Sequence, residues 1–218
     1  MVGLDTTLII DTGANTLAAE TIHGYASAVR PANRLLVLNT EKHFDHIGGN
    51  GYFREQGIDV YGHFAIERTA DEFRLELAEF NAAIPQHARR VRGEERVFYH
   101  ASRVTNPNRP ISEDTELELG DCRVQVLLTP GHTPTNVSVY VPGDGVIYCG
   151  DCLTHRYLPN LDCGGPLDWQ QWLRSRDRIA ALNPSAIMPG HGPVAAGDDV
   201  PRLIDTMRDI LTDAIGTT

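Results

Sequence analysis

The sequence predicts an α/β fold, and three observations indicate it. Short apolar runs with the length of buried strands alternate with stretches in which apolar residues recur at helical spacing. The strand-like runs are rich in Val, Leu and Ile, and most of them stop at a turn that contains glycine or proline. The 218 residues suffice for one core, and no linker or repeat interrupts them, so we expect a single domain over residues 1–218.

The first half of the chain is expected to begin with a strand and a helix. Residues 7–10 (TLII) predict a strand that ends at the turn Asp11-Thr12-Gly13, and the helix after it stops before Pro31. The apolar face of this helix is expected to contain Ala18, Ile22, Tyr25, Ala26 and Val29. The next predicted elements are a buried strand at 34–39, a short strand at 58–61 and a helix over 65–84 that carries Phe73, Leu77, Phe80 and Ile84 on one face.

The second half repeats one pattern three times. The apolar runs at 124–129, 146–149 and 186–188 predict strands, and each is followed by glycine and then by histidine or aspartate. Residues 95–119 are polar and rich in proline and asparagine, which predicts mostly loop. Two helices are expected: one with Trp169 and Trp172 on its packed face, and a closing one opened by Pro201 with Leu203, Ile204, Met207, Ile210 and Leu211 buried.

Composition narrows the range of partners. The 19 Lys and Arg residues oppose 29 Asp and Glu residues, and the net charge of −10 disfavours nucleic acid and anionic membrane surfaces. No apolar run approaches the roughly 18 residues that a membrane helix needs, and the first residues do not resemble a signal peptide. Four cysteines are too few for a disulfide scaffold, so we expect reduced thiols and a cytoplasmic protein.

Potential metal ligands follow four of the predicted strands. In open α/β folds, ligands bind beyond the carboxyl ends of the strands, so we expect these side chains to meet in one place. Their number and type suit two divalent cations, and Gly131, Gly150 and Gly190 would let the backbone approach a crowded site. The candidates are Glu41, His43, Asp45, His46, His132, Asp151 and His191.

These motifs make the chain resemble the metallo-β-lactamase superfamily. The signature of that family is H-x-H-x-D-H, then a strand-end His, a Gly-Asp and a final Gly-His, and this chain has E-K-H-F-D-H at 41–46 followed by His132, Asp151 and His191 in matching contexts. The resemblance covers nearly the whole chain and implies a four-layer αββα sandwich of two mixed sheets flanked by helices. Only about ten residues precede the D-T-G turn, where the family usually has more than one strand. We therefore expect a shortened first sheet, whose uncovered edge favours a homodimer.

The resemblance also implies a role for each ligand. One metal would be held by His43, His132 and the residue at position 41, and the second by Asp45, His46 and His191. Asp151 would bridge the two, and Asp11 would hold the motif loop through hydrogen bonds. A metal-bound hydroxide would then attack the carbonyl of a small ester, lactone, thioester or amide, with Asp45 as the catalytic residue that orients the water.

Position 41 departs from the family, because Glu replaces the usual His. Glutamate binds zinc and suits harder cations better, so several outcomes stay open. Two metals bind with Glu41 as a ligand, or Glu41 turns away from the site and only the second metal binds. Alternatively, the site binds iron or manganese in place of zinc, or Glu41 is a solvated loop residue that binds no metal. Two other functions also remain: an iron-dependent persulfide dioxygenase, which this fold can host, and a non-catalytic binding protein.

Three further residues stand close to the bridging Asp151 in sequence. His155 and Tyr157 are candidates for substrate binding, with ordinary surface residues as the alternative. Cys152 follows Asp151 directly, and we interpret it as a thiol that binds no metal. The loops at 62–110 and 153–167 are expected to set the identity of the substrate.

Overall fold

The structure is a computed structural model in which residues 1–83 and 102–217 are described. The chain forms two compact units, Met1–Pro110 and Ile111–Thr218, and each contains one β-sheet with helices. That the two units make up a single domain over residues 1–218 stays a prediction. Among the described residues no helix combines the length and the apolar character needed to span a membrane.

The sheet of the first unit contains mainly buried apolar strands. β1 is parallel to β2, and β2 is parallel to β3, so their carboxyl ends share one edge of the sheet. Ile10 pairs with Leu38 at the last position of the first two strands, which brings Asp11 beside the chain that leaves β2. The strand order is β1-β2-β3-β4, with bounds Thr6–Ile10, Arg34–Leu38, Val60–His63 and Arg109–Ile111.

The first helix begins at a side-chain cap. The Oδ1 atom of Asn15 accepts a hydrogen bond from the backbone N–H of Ala18 at 2.9 Å, which satisfies one of the free donors of the first turn. The prediction of its apolar face was partly wrong, because Tyr25 and Val29 are exposed and Ala19 and Ala26 form the buried face. The helices of this unit are α1 (Thr16–Val29), α2 (Phe44–Ile47), α3 (Asn50–Glu55) and α4 (Ala70–Ala83).

The sheet of the second unit is mixed. β8 and β9 run parallel, with Gly150 opposite Pro189, while their neighbours are antiparallel. This pairing places the residues after both strands, Asp151 and His191, at the same edge. The order is β10-β9-β8-β7-β6-β5, with bounds Thr115–Glu118 (β5), Arg123–Leu128 (β6), Val137–Val141 (β7), Val146–Gly150 (β8), Ala186–Pro189 (β9) and Ala195–Ala196 (β10).

Two helices, α5 (Pro166–Ala181) and α6 (Asp199–Gly216), complete the second unit. Trp172 is buried in the core, as predicted, and its indole N–H donates to the carbonyl of Cys152 at 2.7 Å. A Cβ at Gly131 would lie 2.5 Å from the Trp172 ring, so this turn requires glycine. In α6 the predicted residues Leu203, Ile204, Met207 and Leu211 are buried, whereas Ile210 is half-buried.

Several sequence predictions differ from the structure for identifiable reasons. The stretch 95–119, predicted as loop, contains β4 and β5 in its described part; β5 is a polar edge strand with mostly exposed side chains, so it lacks an apolar pattern. The strand predicted at 58–61 lies at Val60–His63, and the helix predicted over 65–84 begins at Ala70. Residue 84 of the predicted helix and residues 95–101 of the predicted loop are outside the described part of the chain. β7 and β10 were not predicted from the sequence.

Candidate metal centre

Asp11 adopts an unusual backbone conformation directly after β1. Its φ is 59°, in the left-handed region that residues other than glycine seldom adopt. The carboxylate accepts two hydrogen bonds from Thr40, one from the backbone N–H and one from the hydroxyl, each at 2.7 Å. Such strain persists only where the surroundings fix it, and here the two bonds tie β1 to the start of the motif loop at 41–46.

The same carboxylate orients His46. Asp11 Oδ2 lies 2.9 Å from Nδ1 of His46, so the imidazole donates to the carboxylate from Nδ1 and keeps a lone pair on Nε2. The Nε2 atom lies 3.3 Å from Oε1 of Glu41 and 3.8 Å from Oδ2 of Asp45. Two atoms that bind one tetrahedral ion at about 2.1 Å stand about 3.4 Å apart, so Nε2 has two carboxylate oxygens near the distance of a neighbouring metal ligand.

Glu41 is fully buried, and its carboxylate lies next to two histidines. Its Oε1 is 2.7 Å from Nδ1 of His43, a hydrogen-bond distance. A buried carboxylate is costly without a charged or hydrogen-bonding partner. The alternative in which Glu41 is a solvated loop residue is therefore wrong; the contacts suit either a metal ligand or a group that orients His43.

A network of buried polar side chains holds the motif loop at 41–46 through hydrogen bonds. The carbonyl of His46 accepts from the Thr12 hydroxyl at 3.0 Å and from the Asn39 side-chain amide at 3.1 Å. Asn50 connects the side chains of Thr12 and Asn39. Its amide oxygen accepts a hydrogen bond from the Thr12 hydroxyl, and its NH₂ group donates to Oδ1 of Asn39 and to the carbonyl of Thr105. None of Thr12, Asn39 and Asn50 was predicted to support the site, although polar side chains so close to the motif were a possible signal in the sequence.

The Asp11 contacts give a first prediction. We expect Asp11→Asn to weaken metal affinity by about 10- to 100-fold, the usual cost of losing a partner that orients a ligand. Asparagine tolerates a positive φ, so the backbone is preserved while one acceptor oxygen and the charge are lost. Competition against a chelating dye measures the effect, and Asp5→Asn, whose carboxylate accepts from Thr6, is the matched control. Equal affinity in both variants would contradict the role of Asp11.

In the second unit, His132 follows the turn at the end of β6. Its Nδ1 lies 3.2 Å from the carbonyl of Asn160, so the N–H points to that carbonyl and Nε2 carries the lone pair that a metal would take. Nε2 lies 3.7 Å from Oδ2 of Asp151, and the histidine is almost completely buried. Asn160 is a further residue of the site that was not predicted from the sequence.

Asp151 and His191 come together because β8 and β9 are parallel neighbours. Nε2 of His191 lies 3.4 Å from Oδ2 of Asp151, the same oxygen that His132 approaches. A Cβ at Gly190 would lie 1.9 Å from Oδ1 of Asp151, so only glycine permits this approach. One carboxylate with two imidazole nitrogens close to a single oxygen has the chemistry of a metal-bridging ligand set.

The candidates after Asp151 lie beside His191. The backbone N–H of His155 donates to the carbonyl of His191 at 2.9 Å, and its Nδ1 lies 2.8 Å from the carbonyl of Pro193. Tyr157 is 63% exposed, and its ring centroid lies 6.4 Å from that of His191. Cys152 is fully buried, and burial raises the pKa of its thiol to about 12, in agreement with a packing role.

The sequence model described as the metallo-β-lactamase superfamily matches residues 2–191. The chain belongs to the metallo-β-lactamase superfamily. The predicted family is thereby confirmed, and the match extends through all of the proposed ligands.

Curated relatives within the superfamily share part of the chain. The probable metallo-hydrolase YqgX of Bacillus subtilis (strain 168) is 29% identical over 161 residues, which are 73% of this chain and 69% of the relative. The hydroxyacylglutathione hydrolase of Legionella pneumophila (strain Paris) is 37% identical over 119 residues, 54% of this chain and 33% of the relative. The chain thus spans between a third and about two thirds of the length of these two proteins.

Solved structures of the superfamily share the fold. A metallo-β-lactamase family protein from Thermus thermophilus matches with a TM-score of 0.70 at 24% identity, over 98% of this chain and 73% of that one. A metallo-β-lactamase from Pontibacter korlensis matches with a TM-score of 0.64 at 20% identity, over 94% of this chain and 81% of that one. The predicted fold class is confirmed. At the level that the relatives support, this superfamily member is a metal-dependent hydrolase, and divalent metals are the general cofactors of the superfamily.

Proposed function

We propose that this metallo-β-lactamase superfamily protein hydrolyses the acyl C–O, C–S or C–N bond of a small ester, lactone, thioester or amide with two divalent metals, zinc foremost. The main support is the position of carboxylate oxygens beside the imidazoles. The Nε2–Oδ2 atom pairs His46–Asp45 and His191–Asp151 lie 3.8 Å and 3.4 Å apart, close to the separation of about 3.4 Å expected of neighbouring ligands on one tetrahedral ion. Histidine nitrogens and carboxylate oxygens are also common zinc ligands, and iron and manganese bind the same types of donor.

The proposed assignment follows the family pattern. His43, His132 and Glu41 would hold one metal, and Asp45, His46 and His191 would hold the other, with Asp151 shared between them. Bound divalent metal lowers the pKa of a coordinated water to about 7 and polarises a substrate carbonyl.

Asp45 is the residue that we assign to proton handling. Of the two carboxylates in the motif loop, the side chain of Asp45 is 28% exposed and that of Glu41 is fully buried. Solvent therefore reaches Asp45, whose oxygen can accept a proton from the attacking water and return it to the leaving group. Asp11 and the carbonyl of Asn160 hold the rings of His46 and His132, so both imidazoles are oriented before substrate binds.

We also propose where the protein is located, which class of substrate it binds and how it assembles. Cys122, Cys149 and Cys152 are free thiols, which supports a reducing compartment such as the cytoplasm. A net charge of −10 supports a small-molecule substrate over nucleic acid or an anionic membrane surface. β1 is the outermost strand of its sheet in the described part of the chain, and Met1 and Val2 already pair with Leu8 and Thr7 along its outer edge, so a homodimer would have to use the rest of that edge.

Metal removal and reloading test the proposed function. The purified protein is assayed on nitrocefin, a lactone panel and thioesters, then stripped with a chelator and reloaded with zinc, manganese or iron. We expect hydrolysis of at least one substrate to fall to background and to return with zinc at two ions per chain, counted by elemental analysis. Hydrolysis that survives complete removal of metal would contradict the proposal. Iron alone, together with oxygen consumption on a persulfide, would favour the dioxygenase instead.

A further inference from the structure

The second unit contains a cavity that the metal ligands do not use. It has a volume of about 400 Å³ and lies between residues 154–159 and the helix α6. This volume falls in the usual range of small-molecule sites and exceeds the roughly 150 Å³ that accommodates a benzene molecule. Its apolar lining comes from Leu158, Pro159, Leu203, Met207 and Ile210.

The cavity adjoins His191 through the segment 154–159. Tyr157 is part of the lining, and its ring lies 6.4 Å from that of His191. His155 is also part of the lining, and its backbone N–H holds the carbonyl of His191 at 2.9 Å. Two residues of the cavity lining thus lie next to His191, and a chain that extends from a carbonyl group at His191 past Tyr157 would reach the cavity.

Local contacts fix the segment in a conformation that leaves apolar side chains exposed. Arg156 has φ 63°, a left-handed conformation that is unfavourable for a residue with a Cβ. The Thr154 hydroxyl donates to the carbonyl of Tyr157 at 3.1 Å, and Nδ1 of His155 bonds to the carbonyl of Pro193. Tyr157 is 63% exposed and Leu158 is 85% exposed, and both are part of the cavity lining. Exposed apolar groups around an apolar cavity are typical of a ligand site.

The charges on the lining also suit a particular ligand. Arg202 pairs with Asp199 at 3.5 Å, so these two charges offset each other. Arg156 adds one positive charge, in a chain with a net charge of −10. The cavity accordingly favours an apolar group with a polar or anionic end over a cationic group.

We propose that this cavity binds the apolar acyl chain of the substrate, so that the enzyme prefers medium-chain acyl esters or thioesters to short ones. The proposal rests on the proposed hydrolytic function, because it takes the carbonyl carbon to lie at His191. Burial of each additional methylene group increases the binding constant by about fourfold. The dependence of binding on chain length therefore measures how much of the acyl chain lies in the cavity.

A series of p-nitrophenyl esters tests the preference with the metal-loaded protein. We expect kcat/KM to rise at least about tenfold from acetate to octanoate, a gain that burial of only part of the longer chain already supplies. The test variant is Thr206→Trp, which places an indole in the cavity from an exposed position on α6. It should lose the gain with octanoate and keep its rate with acetate. The matched control is Thr212→Trp, because Thr212 is exposed on the same helix and is not part of the lining.

Binding of octanoate separates the two proposals. By calorimetry, octanoate should bind the unaltered protein and Thr212→Trp at least about tenfold more tightly than Thr206→Trp, and acetate, which has the same carboxylate, should not distinguish the three. Octanoate binding with this difference between the variants, without hydrolysis of any ester, thioester, lactone or amide, would overturn the proposed function while supporting the cavity as an acyl site. Ester hydrolysis that is independent of chain length, or equal in both tryptophan variants, would overturn the cavity and leave the proposed function intact.

Discussion

Replacing His132 with alanine is expected to lower kcat/KM by more than about 100-fold, because loss of a residue that merely orients a metal ligand already costs up to about that factor. Nε2 of His132 approaches Oδ2 of Asp151 at 3.7 Å, and its Nδ1 is held by the carbonyl of Asn160. Alanine removes the donor and leaves these partners in place. The measurement is steady-state hydrolysis of the best substrate, together with metal content per chain.

Asp45→Ala is expected to have a comparable effect on kcat through loss of proton transfer as well as coordination. The side chain is 28% exposed, so its removal should leave the folded structure intact by circular dichroism and thermal unfolding. His23→Ala is the control for both substitutions, since His23 lies on α1 and bonds to the hydroxyl of Tyr52. Turnover by His132→Ala or Asp45→Ala at the rate of the control would contradict the proposed centre.

The core strands were predictable because their sequences carry the burial pattern directly. β2 (RLLVL) and β6 (RVQVLL) have apolar residues at their buried positions, and each strand has a neighbour on both sides in its sheet. β5 was missed because an edge strand with the sequence TELE has no apolar face to detect. The buried face of α1 was misjudged in a different way: Tyr25 fits the helical spacing, but small residues such as Ala19 and Ala26 make the close contacts with the core.

The ligands were predictable from strand ends and motif spacing, whereas the groups that hold them were not. Asp151 and His191 follow neighbouring parallel strands, so chain order alone predicts that they meet. Asn160 lies 28 positions from His132 and contributes a backbone carbonyl, which has no signature in sequence. Burial of Glu41 depends in the same way on packing around the motif loop, since nothing in E-K-H-F-D-H distinguishes a buried glutamate from a solvated one.

Glu41→Gln is a third substitution with a large expected effect, in this case on metal affinity. Glutamine keeps the volume of the side chain and an oxygen that accepts from Nδ1 of His43, now 2.7 Å away, but it removes the negative charge. If the carboxylate binds metal, affinity at one site should fall by more than about 100-fold, exceeding the cost of losing a group that only orients a ligand. Elemental analysis after dialysis should then count one ion per chain in place of two.

Glu41→His completes the test by restoring the usual family residue at this position. A neutral imidazole is a good zinc ligand and a poorer one for harder cations, so this variant should retain zinc and lose affinity for manganese relative to the unaltered protein. Glu55→Gln, at the exposed end of α3, controls for loss of one negative charge elsewhere in the same unit. Full retention of two metals by Glu41→Gln would show that the carboxylate orients His43 through the 2.7 Å contact and does not itself bind metal. The buried charge would then contribute to the centre by holding the imidazole in place, as Asp11 does for His46.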